Sequence, residues 1–175
     1  IPFLSTVQNS RDHRKICVID GKVAFTGGVN LADEYANEIT RFGHWKDTAI
    51  MLKGDAVQSF TMLFLEMWAV NQMEPADCQN YLTPKHVVPD PPHGYVIPYG
   101  DHPYDNENVG EEVYFHILNH SKKYVHIMTP YLILDSEMIT ALTRAAKSGI
   151  EVIIIMPHIP DKWYAFVLAH TYYKE

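Results

Sequence analysis

The chain has 175 residues, about the size of one ordinary domain. Its 47% hydrophobic and 20% charged residues exclude an intrinsically disordered protein, because disorder needs low hydrophobicity and high net charge. The net charge of −7 argues against a protein that coats nucleic acid, since such proteins present a basic face to the phosphates. We therefore expect no nucleic-acid partner, whereas a small pocket for one phosphorylated substrate is compatible with this charge.

Three further features of the sequence bound its class. No run of roughly 18 uninterrupted apolar residues is present, so we expect no membrane-spanning segment. Cys17 and Cys78 are too few for a disulfide scaffold, which favours a reducing compartment. The chain starts at Ile1 rather than Met and has no signal-peptide pattern, so we expect a piece of a longer protein.

The first block of the chain predicts three strands. Lys15–Ile19 is a short apolar run, Asp20-Gly21 is a strong hairpin signal, and Val23–Thr26 supplies the return strand. Ile16 and Val18 should anchor the first strand on one face. Trp45–Lys53 is the third strand candidate.

A helix is predicted after these strands. Gly54 stops the third strand, and Asp55 can cap a helix that runs to about Asn71. Apolar residues at helical spacing predict its buried face: Val57, Phe60, Phe64, Met67 and Trp68.

Many prolines and few helix-forming residues occur from about Met73 to Asp105. This composition predicts a connector that holds one short strand at Tyr95–Pro98.

The last block then alternates helix and strand, which predicts an α/β sheet. Its predicted elements are a helix at Val109–Ser121, a strand at Tyr124–Thr129, a helix capped by Asp135 or Ser136 and ended by Gly149, a strand at Ile150–Met156 buried on both faces, and a helix from Pro160 that still runs at Glu175.

The pattern HxKxxxxD is formed by His13, Lys15 and Asp20, and Gly27-Gly28-Val29-Asn30 follows after six intervening residues. Positions two apart on a strand face the same side, so His13 and Lys15 should project together. The hairpin folds the chain back, and the glycine pair lets the backbone approach a ligand, which brings Asn30 to the same pocket.

These groups suit phosphodiester chemistry. An imidazole can attack phosphorus to form a covalent phosphohistidine, which splits a hard displacement into two easier steps. An ammonium group and an amide neutralise the charge on the phosphoryl oxygens as the transition state forms. We therefore expect no cofactor and no metal, and the ten histidines form no HExxH or HxxEH pattern.

The stretch His13–Asn30 resembles the HKD signature of the phospholipase D superfamily. Further stretches make the chain similar to the bacterial cardiolipin synthases of that superfamily, namely Gly27–Tyr35, His44–Thr48 and Thr129–Tyr131. The resemblance runs over nearly the whole chain and is strongest from Asn9 to Gly54.

The fold implied by the resemblance is α/β, a phospholipase D-like mixed or parallel sheet flanked by helices, built as two pseudo-symmetric repeats. Residues 1–72 would be the C-terminal part of the first repeat, residues 73–93 a Pro-rich connector, and residues 94–175 the N-terminal part of the second. Both repeats would then be incomplete here.

Each repeat of this superfamily gives one HKD motif to a shared active site, and this chain holds one complete motif. His120-Ser121-Lys122 is a second HxK, but Ile127 stands where the Asp belongs, so we interpret it as a solvated helix end. The second motif is expected beyond Glu175. Without its histidine the leaving alcohol has no general acid, so the chain alone would be catalytically incomplete.

The activity implied by the resemblance is phosphatidyl transfer between two phosphatidylglycerol molecules, which makes cardiolipin and releases glycerol. His13 would be the nucleophile, and Asp20 would order the hairpin and balance charge. The phosphate would be bound by Lys15, Asn30 and Gly28.

Three further residues are candidates for the pocket, and each also has a purely structural explanation. The resemblance places His44 and Asp47 near the pocket, although local hydrogen bonds at a strand end explain them equally well. Tyr131 follows the carboxyl end of a strand, where open α/β sheets place ligands, but it can also be a packing residue. Helical spacing favours a core over a lipid-facing function for Trp163, Tyr164, Phe166, Tyr172 and Tyr173.

The implied partner is a phospholipid substrate, and the implied location of the full-length protein is the cytoplasmic face of a bacterial membrane, reached through segments outside this chain. The oligomeric state stays open. Two alternatives remain: a single-motif phosphodiesterase or nuclease that completes its site as a homodimer, and a non-catalytic α/β domain. The early position of the motif and the acidic charge disfavour a nuclease, and the intact motif disfavours a non-catalytic domain.

Overall fold

The computed structural model describes residues 12–72, 78–82, 94–102 and 106–175. These residues fall into two compact units. The first comprises those up to Ile39 and those in Trp45–Tyr99, and the second comprises Thr40–His44 and Gly100–Glu175. Strands and helices occur in both units, so the predicted α/β class is confirmed. Most of the predicted connector, residues 73–77 and 83–93, lies outside the described residues.

A three-stranded antiparallel sheet forms the first unit, in the order β1 (Ile16–Ile19), β2 (Val23–Gly27), β3 (Ala49–Lys53). The hairpin between β1 and β2 is the predicted one. Asp20 and Gly21 have φ of 53° and 61°, as a type I′ turn requires, and the Lys22 N–H donates to the Ile19 carbonyl at 2.9 Å.

The core of the first unit lies between this sheet and α1 (Ala56–Gln72). Ala24, Val57 and Phe60 are buried there, and Ile16 and Val18 pack against them as predicted. Burial of each large apolar side chain stabilises the fold by roughly 1.5–3 kcal/mol. One face of β1 therefore packs on this core, and its other face is exposed.

The predicted buried face of α1 is wrong in its second half. Phe64 and Trp68 are 48% and 56% exposed, whereas Thr61 and Leu65 are buried. The physical reason is which face is covered: Val57, Thr61 and Leu65 are spaced by four residues and form the buried stripe, and Phe64 and Trp68 lie to one side of it. The apolar spacing therefore predicted a buried face but placed it on the wrong side in the second half of the helix.

The second unit alternates helix and strand. Its elements are α2 (Val109–His120), β4 (Tyr124–Met128), α3 (Ser136–Lys147), β5 (Glu151–Ile155) and α4 (Trp163–Thr171). β4 and β5 pair in parallel. Leu118, Val125 and Leu142 form the core between this sheet and the helices α2 and α3.

Both predicted caps of α3 are confirmed. The Asp135 carboxylate accepts the Met138 N–H at 2.7 Å, which satisfies a helix N-terminal donor. Gly149 follows the C-cap with φ of 90°, a conformation that glycine adopts without a steric penalty.

The prediction that the second parallel strand is buried on both faces is wrong. Val152 and Ile154 pack on the core, but Ile153 and Ile155 are 40% and 48% exposed. The core-forming helices α2 and α3 pack on the face that carries Val125. The opposite face therefore stays exposed despite its apolar composition.

Three other predictions need correction. The last helix ends at Thr171, because the N–H groups of Tyr172 and Tyr173 bond back three residues in closing turns. Residues 95–98 are irregular rather than a strand. The third strand begins at Ala49 rather than Trp45.

The aromatic residues of the last helix are less buried than predicted. Trp163, Tyr164 and Tyr173 are 74%, 58% and 60% exposed, so a core function is wrong for these three. Ala165 and Ala169 form the buried stripe of α4 instead. Among the described residues, no helix is long and apolar enough to span a membrane.

Candidate active site

The two halves of the HxKxxxxD…GGxN pattern meet at one end of the hairpin. Ile16 pairs with Thr26, so Lys15, just before β1, and Gly27, the last residue of β2, lie at the same end of the two strands. β1 begins at Ile16, and His13 and Lys15 therefore lie just before the strand rather than within it. The antiparallel register thus brings His13 and Lys15 to the end of the sheet from which Asn30 follows.

His13 and Lys15 contact each other directly. The Lys15 Nζ lies 2.9 Å from Nδ1 and 2.8 Å from Nε2 of the His13 ring, and it donates to the His13 carbonyl at 2.7 Å. A neutral imidazole has a lone pair on only one ring nitrogen, so at most one of the two ring contacts is a hydrogen bond from the ammonium group. The contact places the positive charge of Lys15 beside the His13 ring.

Arg14 is paired with Asp12 rather than with His13 or Lys15. Its Nε and Nη2 donate to the two Asp12 carboxylate oxygens at 2.9 and 3.0 Å, and its backbone N–H donates to Oδ1 at 3.1 Å. These bonds hold the pKa of Asp12 below its usual value and raise the pKa of Arg14. Arg14 is thus balanced by Asp12, and Lys15 is the motif cation that contacts the imidazole.

Asp20 lies at the opposite end of β1. The four residues of β1 separate it from Lys15, so the two residues are five steps and roughly 16 Å apart along the strand. The structure therefore does not bring Asp20 to the His13–Lys15 pair. Its positive φ shapes the hairpin turn.

Packing, rather than an open approach for a ligand, accounts for the two glycines. A Cβ on Gly27 would lie 2.5 Å from the Thr48 carbonyl oxygen, and one on Gly28 would overlap the Asp47 carboxylate. The Gly28 N–H also donates to the Thr48 carbonyl at 3.3 Å. Because Gly28 has no side chain, Asp47, one of the pocket candidates, packs against the segment that leads to Asn30.

Asn30 is held by a neighbour that the sequence reasoning did not assign to the site. Its Nδ2 donates to the Tyr35 hydroxyl at 2.6 Å, and the Tyr35 ring lies 4.4 Å from the Trp45 ring. Trp45 Nε1 donates to the Asp47 carboxylate at 3.4 Å. A continuous chain of contacts therefore links Asn30 to Asp47.

Asn37 closes the same loop. It exchanges two hydrogen bonds with the backbone of Trp45, at 2.6 and 2.9 Å, and has φ of 61°. Asparagine tolerates that backbone conformation better than most residues. The aromatic residues Tyr35 and Trp45, in the segment between Asn30 and Asp47, were the signal in the sequence that could have identified this support.

The other pocket candidates, His44 and Tyr131, belong to the second unit. His44 is exposed. The Tyr131 hydroxyl donates to the Asp161 carboxylate at 2.5 Å, just beyond the carboxyl end of β4. Tyr131 is thus hydrogen-bonded within its own unit.

The second unit also contains an open cavity of about 470 Å³ beyond the carboxyl end of β5. Its lining is largely apolar and includes Leu132, Met156, Phe166 and Tyr172. Over the described part of the chain, no group of three or more His, Cys, Asp or Glu residues could hold a metal ion.

Comparison with known proteins identifies relatives of the whole chain. Cardiolipin synthase of Geobacillus kaustophilus is 37% identical over 175 residues, which are 100% of this chain and 35% of that protein. Cardiolipin synthase 2 of Bacillus cereus is 38% identical over 174 residues, 99% of this chain and 34% of that protein. An uncharacterized protein of Streptococcus mutans is 58% identical over 98% of this chain and 37% of its own length. The chain thus spans about a third of the length of these relatives.

A family model described as "Cardiolipin synthase, PLD-like domain" matches residues 114–174. The match lies in the second unit, whereas the His13 motif lies in the first. The whole-chain identities extend the likeness to the motif. Residues 114–174 are therefore similar to a PLD-like domain, and the chain is similar over its whole length to cardiolipin synthases.

Proposed function

We propose that this chain supplies the nucleophile and phosphate-binding groups of a phosphatidyltransferase that makes cardiolipin from two phosphatidylglycerol molecules and releases glycerol. The observation that carries the proposal is the contact of the Lys15 Nζ with the His13 ring nitrogens, at 2.8 and 2.9 Å. The names of the cardiolipin synthases that resemble the chain support the choice of substrate.

His13 is the nucleophile of this mechanism. A ring nitrogen attacks the phosphorus of phosphatidylglycerol, an N–P bond forms, and the P–O bond to glycerol breaks with protonation of the leaving oxygen. The hydroxyl of a second phosphatidylglycerol then attacks phosphorus, gives up its proton and displaces the imidazole. Two phosphatidylglycerol molecules thus become one cardiolipin and one glycerol.

Lys15 and Asn30 stabilise the charge that develops on the phosphoryl oxygens. An amide nitrogen carries two hydrogens, so the bond of Asn30 to Tyr35 leaves one for a phosphoryl oxygen. A positioned donor of this kind contributes roughly 2.7–4 kcal/mol to a transition state. Gly28 contributes by its lack of a side chain, which lets Asp47 pack against the segment before Asn30.

A second HKD motif donates the proton to the leaving glycerol in this proposal. That motif would lie outside residues 1–175, in a protein as long as the cardiolipin synthases that the chain resembles. Such a protein would work at the cytoplasmic face of the bacterial membrane, where its lipid substrate lies. Microscopic reversibility then makes the second histidine the base that activates the acceptor hydroxyl. Asp20 supports the hairpin, and no step uses a cofactor.

Cardiolipin formation from phosphatidylglycerol vesicles tests the proposal in the intact protein. His13→Ala should abolish turnover, because the covalent intermediate cannot form. His126→Gln is the matched control, since His126 is an exposed histidine of the second unit that pairs with Glu151 at 2.8 Å. Equal turnover in the His13→Ala protein would contradict the proposal.

A further inference from the structure

Two histidines share the solvent face of α2. His116 and His120 are separated by one helical turn, and both are exposed. Leu118, which lies between them in sequence, is buried in the core at 6% exposure. Because residues four apart are neighbours on a helix surface, the two imidazoles lie side by side away from the core.

The two rings are close enough to share an ion. Their centroids are 4.1 Å apart, and their planes are inclined by 28°. Imidazole nitrogens bind transition metals at about 2.0–2.1 Å, so two nitrogens on one ion lie at most about 4.2 Å apart. The two side chains are thus within reach of one ion, and because the stacked rings hold their in-plane lone pairs nearly parallel, the rings must turn about their side-chain torsions to bring two nitrogens onto it.

The hydrogen bond of His120 fixes which nitrogen is available. Its Nδ1 lies 2.8 Å from the His116 carbonyl oxygen. A carbonyl oxygen only accepts, so Nδ1 must carry the proton, and the lone pair of the neutral ring is on Nε2. Histidine ligands of metals commonly donate their second ring N–H to a backbone carbonyl in this way.

We propose that His116 and His120 form a two-ligand site for a divalent transition metal of the Cu²⁺, Ni²⁺ or Zn²⁺ class. Imidazole is a preferred ligand of these ions, and water completes the coordination. Glu112 lies one turn before His116 on the same helix and adds negative charge nearby. The site belongs to the second unit and does not use the residues of the proposed phosphatidyl-transfer site.

Titration calorimetry with NiCl₂ on the whole chain without a histidine tag tests this site. The informative variant combines His116→Asn with Asn119→His, because it keeps the number of histidines but points the two rings about 100° apart. The strongest Ni²⁺ affinity should fall at least about tenfold in this variant, since the second ligand can no longer bind the same ion. His158→Ala, at an exposed histidine elsewhere in the unit, should keep the affinity.

Electron paramagnetic resonance with one equivalent of Cu²⁺ gives a second readout that does not depend on a variant. Hyperfine coupling to two imidazole nitrogens supports the chelate. Coupling to a single nitrogen, or an unchanged Ni²⁺ affinity in the variant with exchanged positions, would overturn it.

Discussion

The carboxylate of Asp47 lies against the Cα of Gly28 so closely that a methyl group on Gly28 would overlap both carboxylate oxygens. Asp47 also accepts the Thr48 N–H at 2.7 Å, which fixes its side chain at the start of the segment that enters β3. One short contact thus joins the GGxN segment to the third strand. Asn30 follows Gly28 by two residues, so the contact lies at the start of the segment that carries Asn30.

Gly28→Ala should therefore destabilise the protein by about 1–3 kcal/mol, the usual cost of forcing extra volume into a filled site. Urea denaturation measures the loss. Gly94→Ala is the matched control, since nothing lies within 4 Å of a Cβ at that position. Its free energy of unfolding should change by less than about 1 kcal/mol.

A double-mutant cycle shows whether Asp47 causes the loss. Asp47→Ala should recover part of the stability in the Gly28→Ala background, so that the two effects are not additive. Additive effects would mean that the contact does not limit the residue at position 28.

Lys15→Ala should lower kcat for cardiolipin formation by roughly 10²–10³-fold, because it removes the ammonium group beside the nucleophile. Lys22→Ala is the control. Lys22 is an exposed lysine at the turn of the hairpin, the end of the sheet opposite to His13. Its removal should leave kcat unchanged. Equal losses in the two variants would indicate a general effect of charge rather than a function at the reacting phosphate.

The Asp12–Arg14 pair predicts a pH-dependent part of stability. The pKa of Asp12 is lowered from 3.8 chiefly by its hydrogen bond with Arg14, so the pair stabilises the folded state above the unfolded pKa. That stability is lost as the pH falls through the lowered pKa. Because the pair is partly exposed, the contribution should be about 0.2–1 kcal/mol.

Asp12→Asn should accordingly lower the free energy of unfolding at neutral pH, and its difference from the wild type should vanish below the lowered pKa. Urea denaturation at several pH values measures the difference, and Arg14→Met should give the same profile. A difference that persists in strong acid would show that Asp12 acts through packing instead.

Tyr35 is expected to position Asn30. Tyr35→Phe removes the hydrogen bond at 2.6 Å but keeps the ring contact with Trp45, so kcat should fall roughly tenfold while the thermal midpoint changes little. Tyr164→Phe, at an exposed tyrosine of the second unit, is the control. A fall in the thermal midpoint with unchanged kcat would make Tyr35 a structural residue only.

Local signals in the sequence were sufficient for the hairpin and the caps. Asp20-Gly21 predicts its own turn, and Asp135 and Gly149 bound α3, because each depends on the conformational preference of one or two residues. The HxK spacing similarly predicts that His13 and Lys15 lie together, and they do.

Contacts between distant segments could not be predicted in the same way. Apolar spacing shows that Phe64 and Ile153 can be buried, but which face is covered depends on which neighbouring elements pack against it. The contact of Asp47 with Gly28 and the bond of Tyr35 to Asn30 arise only when the loop folds back on β2. Candidate residues were therefore identified more easily than the residues that hold them.

Mass spectrometry of the intact protein, quenched in denaturant at alkaline pH during turnover of phosphatidylglycerol, tests the central claim most directly. We predict a phosphatidyl adduct on His13 that disappears in His13→Ala and persists in His126→Gln. An adduct on another residue, or one that survives in His13→Ala, would contradict the assignment of His13 as the nucleophile.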